Sequence, residues 1–79
     1  MDAVTAILTR AARDARHATA AAEAVALQAT DPAAYVQAIR DLHADGATYA
    51  LLARATGRSP RTIAYTVTSA KGAYRRHAA

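Results

Sequence analysis

The segment Gly57-Arg58-Ser59-Pro60 constrains the fold of this chain more than any other segment does. It combines a glycine, which commonly ends a helix, with the pair Ser59-Pro60, which commonly begins one. Glycine adopts a left-handed backbone with little steric cost, so Gly57 predicts the end of one helix. The Ser59 hydroxyl can cap free backbone amides, and Pro60 suits the first helical position, where no N–H donor is needed. The segment therefore predicts a tight turn between two helices, the first of which covers residues 47–56.

Apolar residues on both sides of this turn predict how the two helices pack. Ala53 precedes Gly57 by four residues and is small enough to lie where two helices cross. Ile63 follows Gly57 by six residues and faces inward, with Val67 one turn further along the same helix face. The intervals between Ala53, Gly57 and Ile63 resemble those of the helix-turn-helix family of bacterial and phage regulators, and the resemblance covers residues 49–68.

The resemblance implies that the second helix, predicted from Ser59 to about residue 74 or 76, enters the major groove of double-stranded DNA. Arg58 stands where the family usually has an apolar residue, which suits a side chain whose head faces a charged partner. The residues alone also allow an ordinary αα-hairpin with the same glycine stop and Ser-Pro start.

Outward-facing side chains near the start of the second helix are the candidates for contact with DNA. Arg61 is the leading candidate, since a guanidinium can form a bidentate pair with guanine O6 and N7. The residues expected at base edges are Pro60, Arg61, Ala64, Tyr65 and Thr68. The residues expected at phosphates are Arg54, Arg58, Ser59, Thr62, Lys71, Arg75 and Arg76. Tyr65 could instead lie over the core, and the last three cations could simply solvate a helix end.

The net charge of +4 is distributed unevenly along the chain. Residues 1–31 carry three cations and four carboxylates, whereas residues 32–79 carry seven cations and two carboxylates. Positive charge therefore accompanies the half that resembles a helix-turn-helix, as DNA binding requires, because phosphate contacts dominate the affinity. The alternative is a basic surface that only confers solubility.

A long N-terminal helix is predicted over residues 3–29, where apolar residues recur at alternating intervals of four and three. This spacing is typical of a coiled-coil seam, and alanine at a seam lets two helices approach closely. The expected dimer seam consists of Val4, Leu8, Ala11, Ala15, Ala18, Ala22 and Val25. The alternative is a helix that folds back on its own domain. Arg10, Arg13 and Arg16 share another face, which either solvates this helix or extends a DNA footprint.

An all-α fold is expected, because alanine makes up about a third of the chain and strand-forming residues never alternate over a useful length. Asp31-Pro32 should open a helix that runs to Ala44, before Gly46. The apolar face of that helix consists of Tyr35, Val36, Ile39 and Leu42. The expected architecture is a three-helix helix-turn-helix core over residues 31–79, with an additional Ala-rich N-terminal helix over residues 1–30.

Chemistry other than binding finds little support in the sequence. The chain has no cysteine, so neither a disulfide nor a thiolate metal site is expected. His17, His43 and His77 lack the spacing of metal ligands. Asp14 lies one turn before His17, and we interpret the two as a common surface pair. No enzyme activity, metal or cofactor is expected. No signal peptide or membrane-spanning run is visible, so we expect a cytoplasmic, nucleoid-associated protein.

These features lead to two hypotheses of different classes. The first is a small homodimeric, sequence-specific protein that binds double-stranded DNA and regulates transcription. The bias of arginine over lysine, together with so much alanine, fits a GC-rich genome and hence a phage, plasmid or actinobacterial protein. The second hypothesis is a helical adaptor that binds a protein partner through the N-terminal helix.

Overall fold

The computed structural model describes residues 2–68, and every regular element among them is an α-helix. In chain order the elements are α1 (Ala3–Ala24), α2 (Leu27–Thr30), α3 (Pro32–Ala44) and α4 (Tyr49–Thr56). A fifth helix, α5, begins at Pro60 and occupies the described residues 60–68. The expected all-α class is therefore confirmed.

Helix α1 divides into an exposed first half and a packed second half. At its start the Asp2 carboxylate accepts a hydrogen bond of 2.7 Å from the Thr5 amide, which caps the helix. The second half buries His17, Ala21 and Ala24 against the other helices. The second half of α1 therefore packs on its own domain, as the alternative to a dimer seam predicted.

The predicted helix over residues 3–29 is wrong at its end, because the chain tightens after Ala24. The amides of Val25 and Ala26 bond three residues back, each at 3.3 Å, instead of four. Such bonds wind the chain more tightly than an α-helix does and change its direction. The short α2 follows, and its Leu27 packs against the core. Tertiary packing of Leu27 therefore outweighs the tendency of an Ala-rich segment to continue as one helix.

Helix α3 has the boundaries that the sequence predicts. The Asp31 carboxylate accepts a hydrogen bond of 3.1 Å from the Ala34 amide, and Pro32 occupies the first turn. After the helix, Gly46 adopts φ +109°, a conformation that favours glycine. The Ala47 amide then bonds at 3.0 Å to the carbonyl five residues back, which closes the helix end.

Helix α4 begins at Tyr49, two residues after the start predicted at Ala47. The reason is a local cap: the Thr48 hydroxyl accepts a hydrogen bond of 3.1 Å from the Leu51 amide. His43 supports this connection from α3, because its imidazole stacks on the Tyr49 ring with a centroid distance of 4.5 Å.

A single core joins α1, α3, α4 and α5. Its fully buried large side chains are Ile39, Leu52 and Ile63. The other buried apolar residues are Ala21, Ala24, Tyr35, Ala47 and Ala53. Most of these are alanines, which let the helix axes approach near the lower end of the usual range of about 8–10 Å. The core thus includes residues from both sides of residue 30, and α3 contributes Tyr35 and Ile39 from its predicted apolar face.

Candidate nucleic-acid interface

The turn between α4 and α5 is built from short-range hydrogen bonds. Gly57 adopts φ +75°, and the Arg58 amide donates a hydrogen bond of 3.0 Å to the Ala53 carbonyl, as in a Schellman helix end. The Ser59 hydroxyl oxygen accepts a hydrogen bond of 3.1 Å from the Thr62 amide and so caps α5. The predicted glycine stop and serine cap are both present.

One face of α5 is anchored in the core. Ile63 is fully buried, and Val67, one turn further on, is half-buried against the same cluster. On α4, Ala53 is buried in that cluster as well. Ala53 and Ile63 therefore share one core on either side of the left-handed Gly57.

The opposite face of α5 is open to solvent. Of the predicted base-contacting residues, Pro60, Arg61, Tyr65 and Thr68 are exposed and Ala64 is half-buried. Tyr65 is 65% exposed, so its ring does not lie over the core. The Thr68 hydroxyl donates a hydrogen bond of 2.8 Å to the Ala64 carbonyl, which leaves its oxygen as an acceptor on the open face.

Three exposed arginines lie at the turn between α4 and α5. Arg54 is in the last turn of α4, Arg58 is in the connection, and Arg61 is in the first turn of α5. Within residues 2–68, none of the three forms a salt bridge, and the one ion pair found there joins His17 to Asp45. The positive potential of these guanidinium groups is therefore available to an anionic partner.

The other residues predicted at phosphates divide into two groups. Ser59 and Thr62 are exposed at the start of α5, where the Ser59 hydroxyl donates a hydrogen bond of 3.0 Å to the Thr62 hydroxyl. That bond leaves the Thr62 hydroxyl proton free to reach an anion. Lys71, Arg75 and Arg76 lie outside the described residues.

The predicted dimer seam follows a face of α1 that the rest of the described chain leaves largely uncovered. Val4, Leu8, Ala11, Ala15 and Ala22 are exposed, and Ala18 and Val25 are half-buried. The largest of these, together with the neighbouring Ile7, lie in the first two turns of the helix. Val25 lies in the tightened turn after α1.

The arginines of α1 are exposed, but two of them act on the turn between α3 and α4. Arg13 and Arg16 both exert an electrostatic pull on the Asp45 carboxylate. The Arg13 guanidinium also reaches Gly46, where an added Cβ would lie 3.7 Å from its Nη1 atom. Arg10 lies one turn nearer the N-terminus, beyond this contact.

His17 occupies a position that sequence reasoning missed. Its side chain is buried, with only 4% of the residue exposed, so the interpretation of Asp14 and His17 as a surface pair is wrong. The reason is that His17 shares the packed face of α1 with Ala21 and Ala24, four and seven residues later. That spacing is visible in the sequence, but alanine at many other positions obscures it.

The partner of His17 is distant in sequence. Its Nε2 atom lies 2.8 Å from the Oδ2 atom of Asp45, while its Nδ1 atom is buried without a partner among the described residues. The hydrogen bond from His17, followed by electrostatic attraction to His17, Arg13 and Arg16, holds the pKa of Asp45 below its usual value. The contact is suited to joining α1 to the turn between α3 and α4.

An open groove of about 450 Å³ lies between α1 and α4. Its lining consists of Asp14, Ala15, Ala18, Thr48, Ala50, Leu51, Arg54 and Ala55. We refer to it as the α1/α4 groove. Small apolar side chains dominate this lining, and the charged groups among the described residues that form it are the Asp14 carboxylate and the Arg54 guanidinium. The groove is thus suited to an apolar side chain of a partner.

Two classes of feature are absent from residues 2–68. No three histidine, aspartate or glutamate side chains there are grouped so as to hold a metal ion. None of the described helices is both long and apolar enough to cross a bilayer. The chain matches no protein-family model, no curated protein and no solved structure.

Proposed function

We propose that this chain binds double-stranded DNA in a sequence-specific manner through α5 and regulates transcription as a homodimer. The observation that supports this most is the division of α5 into two faces. Ile63 is fully buried on one face, while Arg61 and Tyr65 are exposed on the other. A helix anchored in this way can enter a major groove about 12 Å wide without disturbing the core.

Each exposed side chain then has a distinct role in the proposal. Arg61, in the first turn of α5, pairs with the O6 and N7 atoms of a guanine, which gives about 1–3 kcal/mol of discrimination between bases. Tyr65 lies one turn further along and contacts a phosphate or a thymine methyl group. Arg54, Arg58 and Thr62 contact phosphates on either side and set the orientation of α5 without reading sequence.

Dimerisation through α1 completes the proposal. Two copies of α5 would read two half-sites about 34 Å apart, one helical turn of DNA. The protein would then act at the nucleoid, in the cytoplasm. The role is one of binding and involves no catalysis.

The proposal is tested by selecting bound duplexes from a random DNA pool and measuring the affinity for the selected sequence by fluorescence anisotropy. The affinity should fall steeply with salt, with a log–log slope of roughly −0.9 for each phosphate contact. Arg61→Ala should relax the sequence preference at one position of each half-site, with a loss of about 1–3 kcal/mol for the selected sequence relative to a variant site.

Arg10→Ala provides a charge-matched control, because Arg10 is exposed on α1 and lies far along the chain from α5. It should leave the sequence preference unchanged even if it weakens binding slightly. Failure to enrich any sequence, or an equal effect of the two variants on sequence preference, would contradict the proposal.

A second candidate function is supported by the exposed aliphatic residues at the start of α1. Val4, Ile7 and Leu8 are between 64% and 65% exposed, which would suit a helical adaptor that binds a protein partner through this helix. An adaptor would bind DNA weakly, without sequence preference, and Arg61→Ala would have no specific effect. The same anisotropy measurements therefore separate the two candidates.

A further inference from the structure

Two unfilled features of the monomer lie on the same side of α1. The first is the arm, defined as residues 3–13, every one of which is exposed. Its large apolar side chains are Val4, Ile7 and Leu8, all within two helical turns. The second feature is the α1/α4 groove, whose α1 side is formed by small residues.

The two features are continuous, because they belong to one seam of α1. Val4, Leu8, Ala11, Ala15 and Ala18 follow one another at intervals of four and three and therefore share one helix face. Val4 and Leu8 lie in the arm, Ala15 and Ala18 line the groove, and Ala11 lies between them. The seam thus carries large side chains at its N-terminal end and small side chains further along.

We propose that a second copy of this chain fills the groove. The two copies of α1 pair in antiparallel orientation, and each arm lies in the α1/α4 groove of the partner. This inference rests on the homodimer of the proposed function, but it does not depend on DNA binding. In this pairing Val4 packs opposite Ala15 of the partner subunit, and Leu8 packs opposite Ala11 of the partner subunit. Each of these layers then joins a large side chain to a small one, as close packing requires.

The position of α4 favours the antiparallel direction. Ile7, Asp14 and Ala21 are seven residues apart and lie on one flank of the seam. Ala21 is buried in the core and Asp14 lines the groove with α4, so α4 stands on this flank. Antiparallel helices bring equivalent flanks together, which sets Ile7 against the groove wall at the partner's Leu51. A parallel pair would instead set arm against arm and groove against groove, with the two copies of α4 on opposite sides of the seam.

The area required by a stable dimer points the same way. A specific interface buries roughly 1,200–2,000 Å² in total. The arm comprises residues 3–13 and is about 16 Å long and about 10 Å across, so two arms packed only on each other would bury only a few hundred Å², on the order of a third of that area. Antiparallel pairing uses each arm and each groove, so that four contact surfaces are buried instead of two. The contact is also isologous and closes at two subunits, because each copy gives the same arm and offers the same groove.

Engineered thiols test the direction of pairing in the absence of DNA, since the chain has no cysteine of its own. Val4→Cys and Ala15→Cys are prepared separately, oxidised alone and as a mixture, and examined on a non-reducing gel. Cβ atoms must approach to about 3.5–4.5 Å to form a disulfide. Antiparallel pairing predicts a covalent dimer in the mixture and little with either variant alone. Disulfides within each single variant would show parallel pairing and overturn the proposal.

A second measurement tests the groove through mass in solution. Ala50→Arg places a bulky charge in the groove at an exposed position, and Ile7→Glu places a charge on the arm opposite the groove wall. Both should shift the protein from dimer to monomer in sedimentation experiments, with unchanged helical content by circular dichroism. Thr9→Glu, exposed on the opposite side of α1, is the control and should remain a dimer.

The inference would be overturned if the wild-type chain stayed monomeric at all concentrations tested. It would also be overturned if the Ala50→Arg and Ile7→Glu variants remained dimeric. A monomeric chain would also remove the homodimer from the proposed function, but the anisotropy experiment still reports the base preference of α5 independently of either result. Conversely, an antiparallel dimer that enriches no DNA sequence would leave this inference intact and remove the proposed function.

Discussion

The Nε2 atom of His17 lies 2.8 Å from a carboxylate oxygen of Asp45, and the two residues are 28 positions apart in sequence. The contact joins the middle of α1 to the turn between α3 and α4. The carboxylate side is open to solvent, with 74% of the Asp45 side chain exposed, whereas the imidazole is buried. The Asp45 carboxylate accepts this hydrogen bond best when it is ionised, and the bond holds the pKa of Asp45 below its usual value.

We expect the His17–Asp45 contact to weaken in acid. The pKa of Asp45 lies below its ordinary value of 3.8 in the folded chain, so the unfolded chain takes up this proton at a higher pH. The stabilisation is therefore fully present above about pH 4 and is lost as the pH falls through the folded value. Urea unfolding followed at a series of acidic pH values should show this loss.

Asp45→Asn should reduce this dependence on pH. Asp2 needs a separate control, because the Thr5 amide lowers its pKa as well and produces a change of the same sign. Asp2→Asn should therefore remove a separate part of the acid dependence. An acid profile that Asp45→Asn leaves unchanged would show that the contact contributes nothing to folding.

Ala53 should tolerate no larger side chain. It is buried where α4 meets the rest of the core, so Ala53→Leu should destabilise the fold by about 1–3 kcal/mol through overpacking. Ala44→Leu, at an exposed position at the end of α3, is the control and should change the free energy of unfolding by less than about 0.5 kcal/mol. Urea unfolding measures both, and equal effects would contradict the packing assigned to Ala53.

Gly57 should be required only because of its backbone conformation. An added Cβ would meet no atom within 4 Å, but the φ of +75° is unfavourable for most side chains. Gly57→Ala should therefore cost about 1–2 kcal/mol, and Gly57→Asn should cost less, because asparagine adopts this conformation more readily. Thermal unfolding monitored by circular dichroism can rank the three proteins. An Asn variant less stable than the Ala variant would point to a cause other than backbone strain.

Ser59 allows the stability of the turn to be separated from DNA binding. Ser59→Ala removes the hydroxyl that caps α5 and should cost about 0.5–2 kcal/mol of stability. Ser59→Asp preserves the cap, so its stability should stay near that of the parent, while its negative charge should weaken binding to DNA by repelling phosphate. If Ser59→Asp binds the selected duplex as tightly as the parent does, Ser59 does not lie near the DNA backbone.

Much of the local structure follows from residues close together in sequence. Asp31 with Pro32 predicts the start of α3, and Gly57 with Ser59 predicts the turn before α5, because each cap joins atoms three to five residues apart. The inward direction of Ile63 and Val67 follows from helical spacing in the same way. The exposed face of α5, with Arg61 and Tyr65, is then the remaining side of the helix.

The tertiary structure alone decided which side of α1 packs, where α1 ends, and what His17 contacts. Alanine recurs on several faces of α1, so apolar spacing in the sequence cannot distinguish the buried face of Ala21 and Ala24 from the open seam. The tightened turn after Ala24 brings Leu27 against the core, and the partner of His17 comes from beyond α3. Hydrogen bonds within one helical turn are set by neighbouring residues, whereas contacts across the core require all the helices to be in place.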